Sequence, residues 1–365
     1  MANGADSSQG DRRMAGAPSR AEEPWTHLVD LDRLRGWMDA RGLGEGPLED
    51  ARRLSGGTQN VLLRFTRSDR AYVLRRPPED PYLDGNETMR REARVLRALA
   101  NSATPHPRLI ADEPDAAVLG AAFYLMEPVD GFCPPQGLPA PHAEDPALRH
   151  AMGLSAIDAL AALRRVDWRK GGLEGFGRPD GFLERQAPRW LRQLQSYESY
   201  AGWEGRADIP GVEAIAAWLA AHRPADFHPG VIHGDFHLGN LLFERAGPQV
   251  SAIVDWELAT LGDPLIDLGC LLATWADPDG AHPGCIDVTP WAGFPSEAEL
   301  VARYAEATGA RVVDVNWYVV LACFKLGIIQ EGTYARAAAG LAERATADWM
   351  HATTIKLFER ALARI

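Results

Sequence analysis

The sequence predicts an α+β protein of two lobes, a small mixed β/α lobe over residues 24–129 and a larger, mostly helical lobe over 130–365. A chain of 365 residues fits two lobes more comfortably than one core. Before Val129, short apolar runs alternate in the manner of half-buried strands. After it the apolar spacing is helical, and strand-like runs return only around residues 231–254.

Taken in order, residues 1–23 are polar and rich in Gly, Ala and Ser, and they read as a disordered tail without the apolar core of a secretory signal. Ser55, Gly56, Gly57 and Thr58 lie between two alternating runs, where glycine permits close backbone approach to phosphate. Ala71–Arg76 alternates as a strand. Val73 and Arg75 share one face, so Arg75 rather than Arg76 is expected to enter a cleft, and Arg76→Ala is expected to do little. Asn86–Ala100 carries Met89, Ala93, Leu96 and Leu99 at helical spacing, with Glu92 beside that stripe and in reach of Arg75. Ala121–Met126 reads as a buried strand running into Glu127, Pro128 and Val129. Pro128 has no N–H, so a backbone donor there falls to a residue such as Val129. Asp145–Val166, Pro179–Tyr197 and Val312–Ala339 are expected helices. The last is strongly apolar, with Lys325 and Arg336 as its cations and Glu331 as its acid past Asp314.

The chemistry concentrates between Val231 and Leu268. His233-Gly234-Asp235 is followed five residues after the Asp by Asn240, and Asp255 closes a later apolar run. Leu241–Phe243 and Ser251–Val254 read as a hairpin around Gly247-Pro248, presenting Asn240 and Asp255 side by side. The spacing suits phosphoryl transfer, which needs in-line positioning and charge neutralisation more than covalent chemistry. Asp235 would accept the proton of an attacking hydroxyl, and Asn240 and Asp255 would supply the oxygen ligands that magnesium prefers. The rival, zinc at His233 and His237, needs a helix to bring both rings to one face, and Gly234 with strand-like flanks argues against one.

HGDFHLGN, IVDWE and GDPLIDLG resemble the catalytic loop, the metal-binding segment and the following helix start of the aminoglycoside phosphotransferase family of small-molecule kinases. SGGTQN, YVLRRPP, YLMEPVDG and WYVVLACFKLGIIQEGTYARAAAG resemble the subgroup found with acyl-CoA dehydrogenases, and the likeness covers about residues 24–350. The resemblance implies a bilobal protein-kinase-like fold, with ATP and Mg2+ as cofactors. It implies that Ser55–Thr58 and Arg75 grip phosphates, with Glu92 pairing Arg75 in the nucleotide site and Arg75 standing where kinases generally carry Lys. It implies that Met126, Glu127 and Val129 form the hinge that meets adenine. Asp263 would cap a helix with Pro264 in its first turn, and Asp267, with His233, would brace the catalytic loop.

A net charge of −12 disfavours nucleic acid as partner, and no apolar run approaches the roughly 18 residues of a membrane span. Cysteines 133, 270, 285 and 323 show no close pairing, which suits reduced thiols and a cytoplasmic location. The expected partner is a small hydroxylated molecule, a hydroxyacyl-CoA-like metabolite or an aminoglycoside. An aminoglycoside pocket should carry several carboxylates, and the third helical stretch offers few. The alternative from another class is a non-catalytic nucleotide-binding regulator, motivated by Arg in place of Lys.

Overall fold

Alternating burial builds the smaller lobe. The computed structural model describes residues 25–54, 60–79, 84–225, 227–277 and 280–365. The expected tail and the segment Ser55–Thr58 lie outside them. Strands β1 (Glu49–Arg53), β2 (Val61–Arg67), β3 (Arg70–Arg76), β4 (Leu109–Glu113) and β5 (Phe123–Met126) form an antiparallel sheet in the order β1-β2-β3-β5-β4. Leu63, Phe65, Tyr72, Leu74, Phe123 and Leu125 point to one face, where Leu34, Trp37 and Met38 of helix α1 (Leu31–Asp39) cover them. Each such side chain contributes about 1.5–3 kcal/mol by leaving water. The pleat turns Val73, Arg75 and Tyr124 to the other face, towards helix α2 (Gly85–Leu99).

That helix looks both ways. Its Met89, Ala93, Leu96 and Leu99 belong to the larger core, which continues through the rest of the chain. The larger lobe carries α3 (Ala140–Glu144), α4 (Pro146–Arg164), α5 (Gln186–Ser196), α6 (Val212–Ala221), α7 (Leu265–Ala273), α8 (Glu297–Thr308), α9 (Val315–Ala338) and α10 (Arg344–Leu362). α9 is its axis, packed on α5, α7 and α10. Gly269 makes the α7 contact possible, because a Cβ there would sit 2.6 Å from the Tyr318 backbone. Four short strands stand apart in two pairs. β6 (Gly230–Ile232) pairs with β9 (Thr260–Gly262), and β7 (Leu241–Phe243) pairs with β8 (Val250–Ile253).

Several expected boundaries move: α9 begins at Val315 rather than Val312, after Asp314 in a left-handed conformation, and β5 begins at Phe123 rather than Ala121. The stretch 179–185 is turn rather than helix, since Pro179, Asp180 and Gly181 favour a turn and Gly181 has φ +59°. Phe182 and Leu183 are buried from that turn. At α7 the cap position falls on Pro264 instead of Asp263, although the Asp263 carboxylate still accepts from Leu265 N at 3.0 Å. Among the described residues, no helix is long and apolar enough to cross a membrane.

Candidate active site

The two strand pairs hold the loop 233–240 between them. Gly234 has φ +87°, and a Cβ would lie 2.5 Å from the Leu258 carbonyl oxygen, so only glycine fits this turn. The loop's backbone is fastened to α7. His233 N and Gly234 N donate to the two oxygens of buried Asp267 at 2.6 and 2.8 Å. Lys325, from α9, donates to the Gly234 carbonyl. The His233 ring spans the loop, accepting from Asp235 N at 3.3 Å and donating to the Val254 carbonyl at 2.8 Å. His237 accepts from Gly239 N at 3.1 Å, leaving its Nε2 to face Asp235 Oδ2 at 3.2 Å. All four imidazole nitrogens thus serve the loop, and it contains no helical turn that would bring the rings together, which disfavours the zinc reading.

Asp235 is oriented on two sides. Asn240 Nδ2 donates to its carbonyl at 2.9 Å and to its Oδ2 at 3.2 Å. Burial pushes the Asp235 carboxyl up, but His237, Lys325 and His233 outweigh it, and the net shift is downward. Across the hairpin, Leu241 pairs with Ile253 and Val254 N donates to the Asn240 carbonyl at 2.9 Å. Asn240 and Asp255 therefore leave adjacent strands at the same end. Asp255 takes a left-handed conformation, φ +68° and ψ +64°.

The smaller lobe reaches this hairpin through Arg75. Its guanidinium lies 2.7 Å from Asp255 Oδ1 and 2.9 Å from Glu92 Oε2. Tyr124, cross-strand from Arg75, donates to Glu92 Oε2 at 2.6 Å. Burial pulls the Arg75 guanidinium down, yet Glu92, Tyr124 and Asp255 outweigh it and hold it well above its ordinary value. Arg76 points the other way and donates to the carbonyls of Leu28, Leu119 and Pro77. It is 5% exposed, and its removal would leave those carbonyls without a donor, a cost in stability that is separate from the expected small effect on nucleotide use.

At the strand end, Met126 pairs with Val73 and Leu109. Glu127 N donates to the Arg108 carbonyl at 2.9 Å, and its carboxylate meets Arg70 at 3.0 Å, away from the cleft. The Val129 N–H has no partner among the described residues.

Three residues outside the expected set belong here. Glu257 brings a carboxylate oxygen within 4.8 Å of oxygens of Glu92 and Asp255. Burial, then the Asp255 carboxylate, pushes it up to about 7, with Glu92 and Asp235 adding and Arg75 opposing. Lys325 was visible as a cation within an apolar stretch, and Tyr124 as a phenol within a buried strand. Beside Glu257 a cavity of about 420 Å³ opens, lined by Arg91, Arg178, Arg185, Arg189 and Arg192 with Phe182.

A two-lobed fold with a carboxylate–amide–carboxylate set at one end of a hairpin has the arrangement that phosphoryl transfer calls for. The sequence matches the Phosphotransferase enzyme family (APH) over residues 50–320, and the chain belongs to that family. Within it the chain is similar to proteins named for acyl-CoA dehydrogenases. It is 33% identical to "Acyl-CoA dehydrogenase family member 11" of Gallus gallus, covering 88% of this chain and 42% of that protein. It is 31% identical to family member 10 of Mus musculus, covering 95% and 32%. The chain thus spans about a third to two-fifths of the length of these relatives. A solved structure from Ralstonia eutropha, assigned as an aminoglycoside phosphotransferase, is 28% identical with a TM-score of 0.75, covering 92% of this chain and 98% of that one. A thermostable mutant of APH(4)-Ia in ternary complex with AMP-PNP and hygromycin B shares the fold at 15% identity and a TM-score of 0.54, covering 88% and 98%.

Proposed function

We propose that the chain is an ATP-dependent small-molecule kinase that moves the γ-phosphoryl group to an acceptor hydroxyl. The convergence of Asp235, Asn240 and Asp255 at one end of the β7–β8 hairpin, met from the other lobe by Arg75, carries this reading. Asp235 accepts the hydrogen bond of the acceptor hydroxyl and takes its proton. Asn240 and His237 fix the rotamer of Asp235, and Asp267 and Lys325 fix its backbone. Arg75, oriented by Glu92, stands in for the usual Lys and neutralises phosphate charge.

The oxygen donors fit magnesium. Asn240 Oδ1, Asp255 Oδ2 and the Glu257 carboxylate accept no hydrogen bond from the described residues, whereas both Glu92 oxygens are taken by Arg75 and Tyr124. Asn240 and Asp255 would hold the ion, with Glu257 adjacent. Magnesium, when bound, neutralises charge on the transferring phosphates. The Val129 N–H is available for adenine, and residues 24–129 with 130–365 remain our division into nucleotide and acceptor lobes.

The relatives named for acyl-CoA dehydrogenases favour a hydroxyacyl-CoA-like acceptor over an aminoglycoside. The guanidinium-lined cavity beside Glu257 would repel ammonium groups. Incubation with magnesium, γ-labelled ATP and a panel of hydroxyacyl-CoA thioesters and aminoglycosides should label the thioesters, and Asp235→Asn should abolish labelling. The capture of Arg75 by Asp255 favours a second reading, a nucleotide-binding regulator. Nucleotide-dependent thermal stabilisation without turnover on the whole panel would establish it instead.

A further inference from the structure

We propose that the cavity lined by Arg91, Arg178, Arg185, Arg189 and Arg192 is an anion site that grips phosphate groups carried by the acceptor substrate, a step that rests on the phosphotransferase reading. In a chain of net charge −12, a concentration of five guanidiniums around one cavity runs against the overall balance. Arg185, Arg189 and Arg192 stand at spacings of four and three on one face of α5 and its first turn, where like charges repel. Among the described residues none of the five forms an ion pair with a carboxylate. With Glu257 as the one carboxylate among the described lining residues against five guanidiniums, their repulsion is a cost in the empty protein that a bound polyanion removes.

Three of the five cations are also held. Arg91 donates to the carbonyls of Phe176 and Ala259 at 3.2 and 3.1 Å and lies over the Phe176 ring at 4.1 Å. Arg185 donates to the carbonyls of Asp180 and Arg178, tying the turn to the helix. Arg189 lies over the Trp190 ring at 4.9 Å. The guanidinium group has five N–H donors, and those not engaged with carbonyls can meet phosphate oxygens.

The position selects the acceptor rather than the nucleotide. The segment Glu257–Thr260, two residues on from Asp255, also lines the cavity. Glu92, the partner of Arg75, is the sequence neighbour of Arg91 on α2. An anion seated here would lie beside the carboxylate cluster, on the side of the larger lobe. At about 420 Å³ the cavity exceeds the needs of one inorganic phosphate and suits a diphosphate or a bisphosphorylated sugar.

Calorimetric titration of the full chain, without ATP or magnesium, tests the site independently of turnover. Coenzyme A should bind, phosphate-free pantetheine should bind at least about tenfold more weakly, and inorganic pyrophosphate should compete with coenzyme A. The double variant Arg189→Ala/Arg192→Ala should weaken coenzyme A by about tenfold or more, while Arg189→Lys/Arg192→Lys should recover part of that loss. Binding of AMP-PNP with magnesium should stay within about twofold in both variants, which also reports that they are folded. Coenzyme A binding unmoved by the alanine pair would overturn the proposal. So would competition between magnesium–AMP-PNP and pyrophosphate, which would make the cavity part of the nucleotide site. Pyrophosphate binding without coenzyme A binding would overturn the acceptor assignment in favour of a free anion. Absence of ATP turnover on any acceptor would count against the kinase reading alone.

Discussion

At the scale of residues, the site separates groups that react from groups that hold. Asp235→Asn preserves shape and removes the proposed proton acceptor. Transfer should fall by about two orders of magnitude or more while magnesium–nucleotide affinity stays nearly intact, as single-turnover assay and titration would reveal. Arg75 and Arg76 should fail differently. Arg75→Ala should raise the ATP requirement and strand the fully buried Glu92 carboxylate. Arg76→Ala should leave nucleotide affinity alone and cost about 1–3 kcal/mol in urea unfolding, through the carbonyls it now satisfies. Loss of nucleotide affinity in the Arg76 variant would exchange the two roles. Strand alternation made the direction of Arg75 legible in sequence, because neighbours on a pleat must diverge. It could not show what Arg76 meets, since Leu28 and Leu119 arrive from distant segments. The contact of Asp267 with His233 and Gly234 was legible only through the resemblance of GDPLIDLG to a known helix start.

At the scale of elements, local chemistry decided most of what could be read. The hairpin announced itself by two apolar runs about a Gly-Pro turn, and its register brings Asn240 to Asp255. Helix α5 was misread at its start because Phe182 and Leu183 keep helical spacing while Pro179 and Gly181 impose a turn. The cavity was not legible at all, since its arginines come from residue 91 and from 178–192 and meet only through packing. Helix α8 offers a clean test of local signals. Ser296 and Glu299 form a reciprocal capping box, with Ser296 N and Oγ donating to Glu299 at 2.8 and 2.6 Å. Ser296→Ala should cost about 1 kcal/mol in thermal unfolding. The hydroxyl and N–H of Ser296, and after them His150 at 3.1 Å, hold the Glu299 carboxyl down to about 2, against about 4.3 in an unfolded chain. A depressed folded value means the stabilisation is complete above about pH 4.3 and fades as pH falls towards 2. The Tm gap between wild type and Glu299→Gln should therefore be present above about pH 4.3 and close as pH falls towards 2. A gap independent of pH would remove Glu299 from the cap.

At the scale of the whole molecule, two lobes do not mean two independent folds. The stripe Met89, Ala93, Leu96 and Leu99 of α2 is buried in the larger core, although the helix lies between strands of the smaller sheet. Arg91 and Arg94 add donors to carbonyls of Phe176, Ala259, Gly172 and Glu174. Cutting the chain after residue 129 would expose that stripe, at about 1.5–3 kcal/mol for each large side chain, against a typical total stability of about 5–15 kcal/mol. An isolated fragment 25–129 should show no cooperative thermal transition by circular dichroism. A sharp transition near that of the full chain would mean the small sheet suffices alone. The two-lobed plan was legible from the change of apolar period near Val129, but the shared helix was not, because a stripe does not say which core it enters.

The left-handed backbone at Asp255 restricts which residues can stand there, whatever the chemistry requires. Glycine and asparagine enter that conformation readily, whereas alanine adds about 1 kcal/mol of strain. Few side chains can replace Asp255 without strain, and asparagine is the one that keeps the turn and discards the charge. A laboratory comparison of Asp255→Asn with Asp255→Ala separates the two demands. Asparagine should lose magnesium dependence with Tm nearly unchanged, and alanine should lose both.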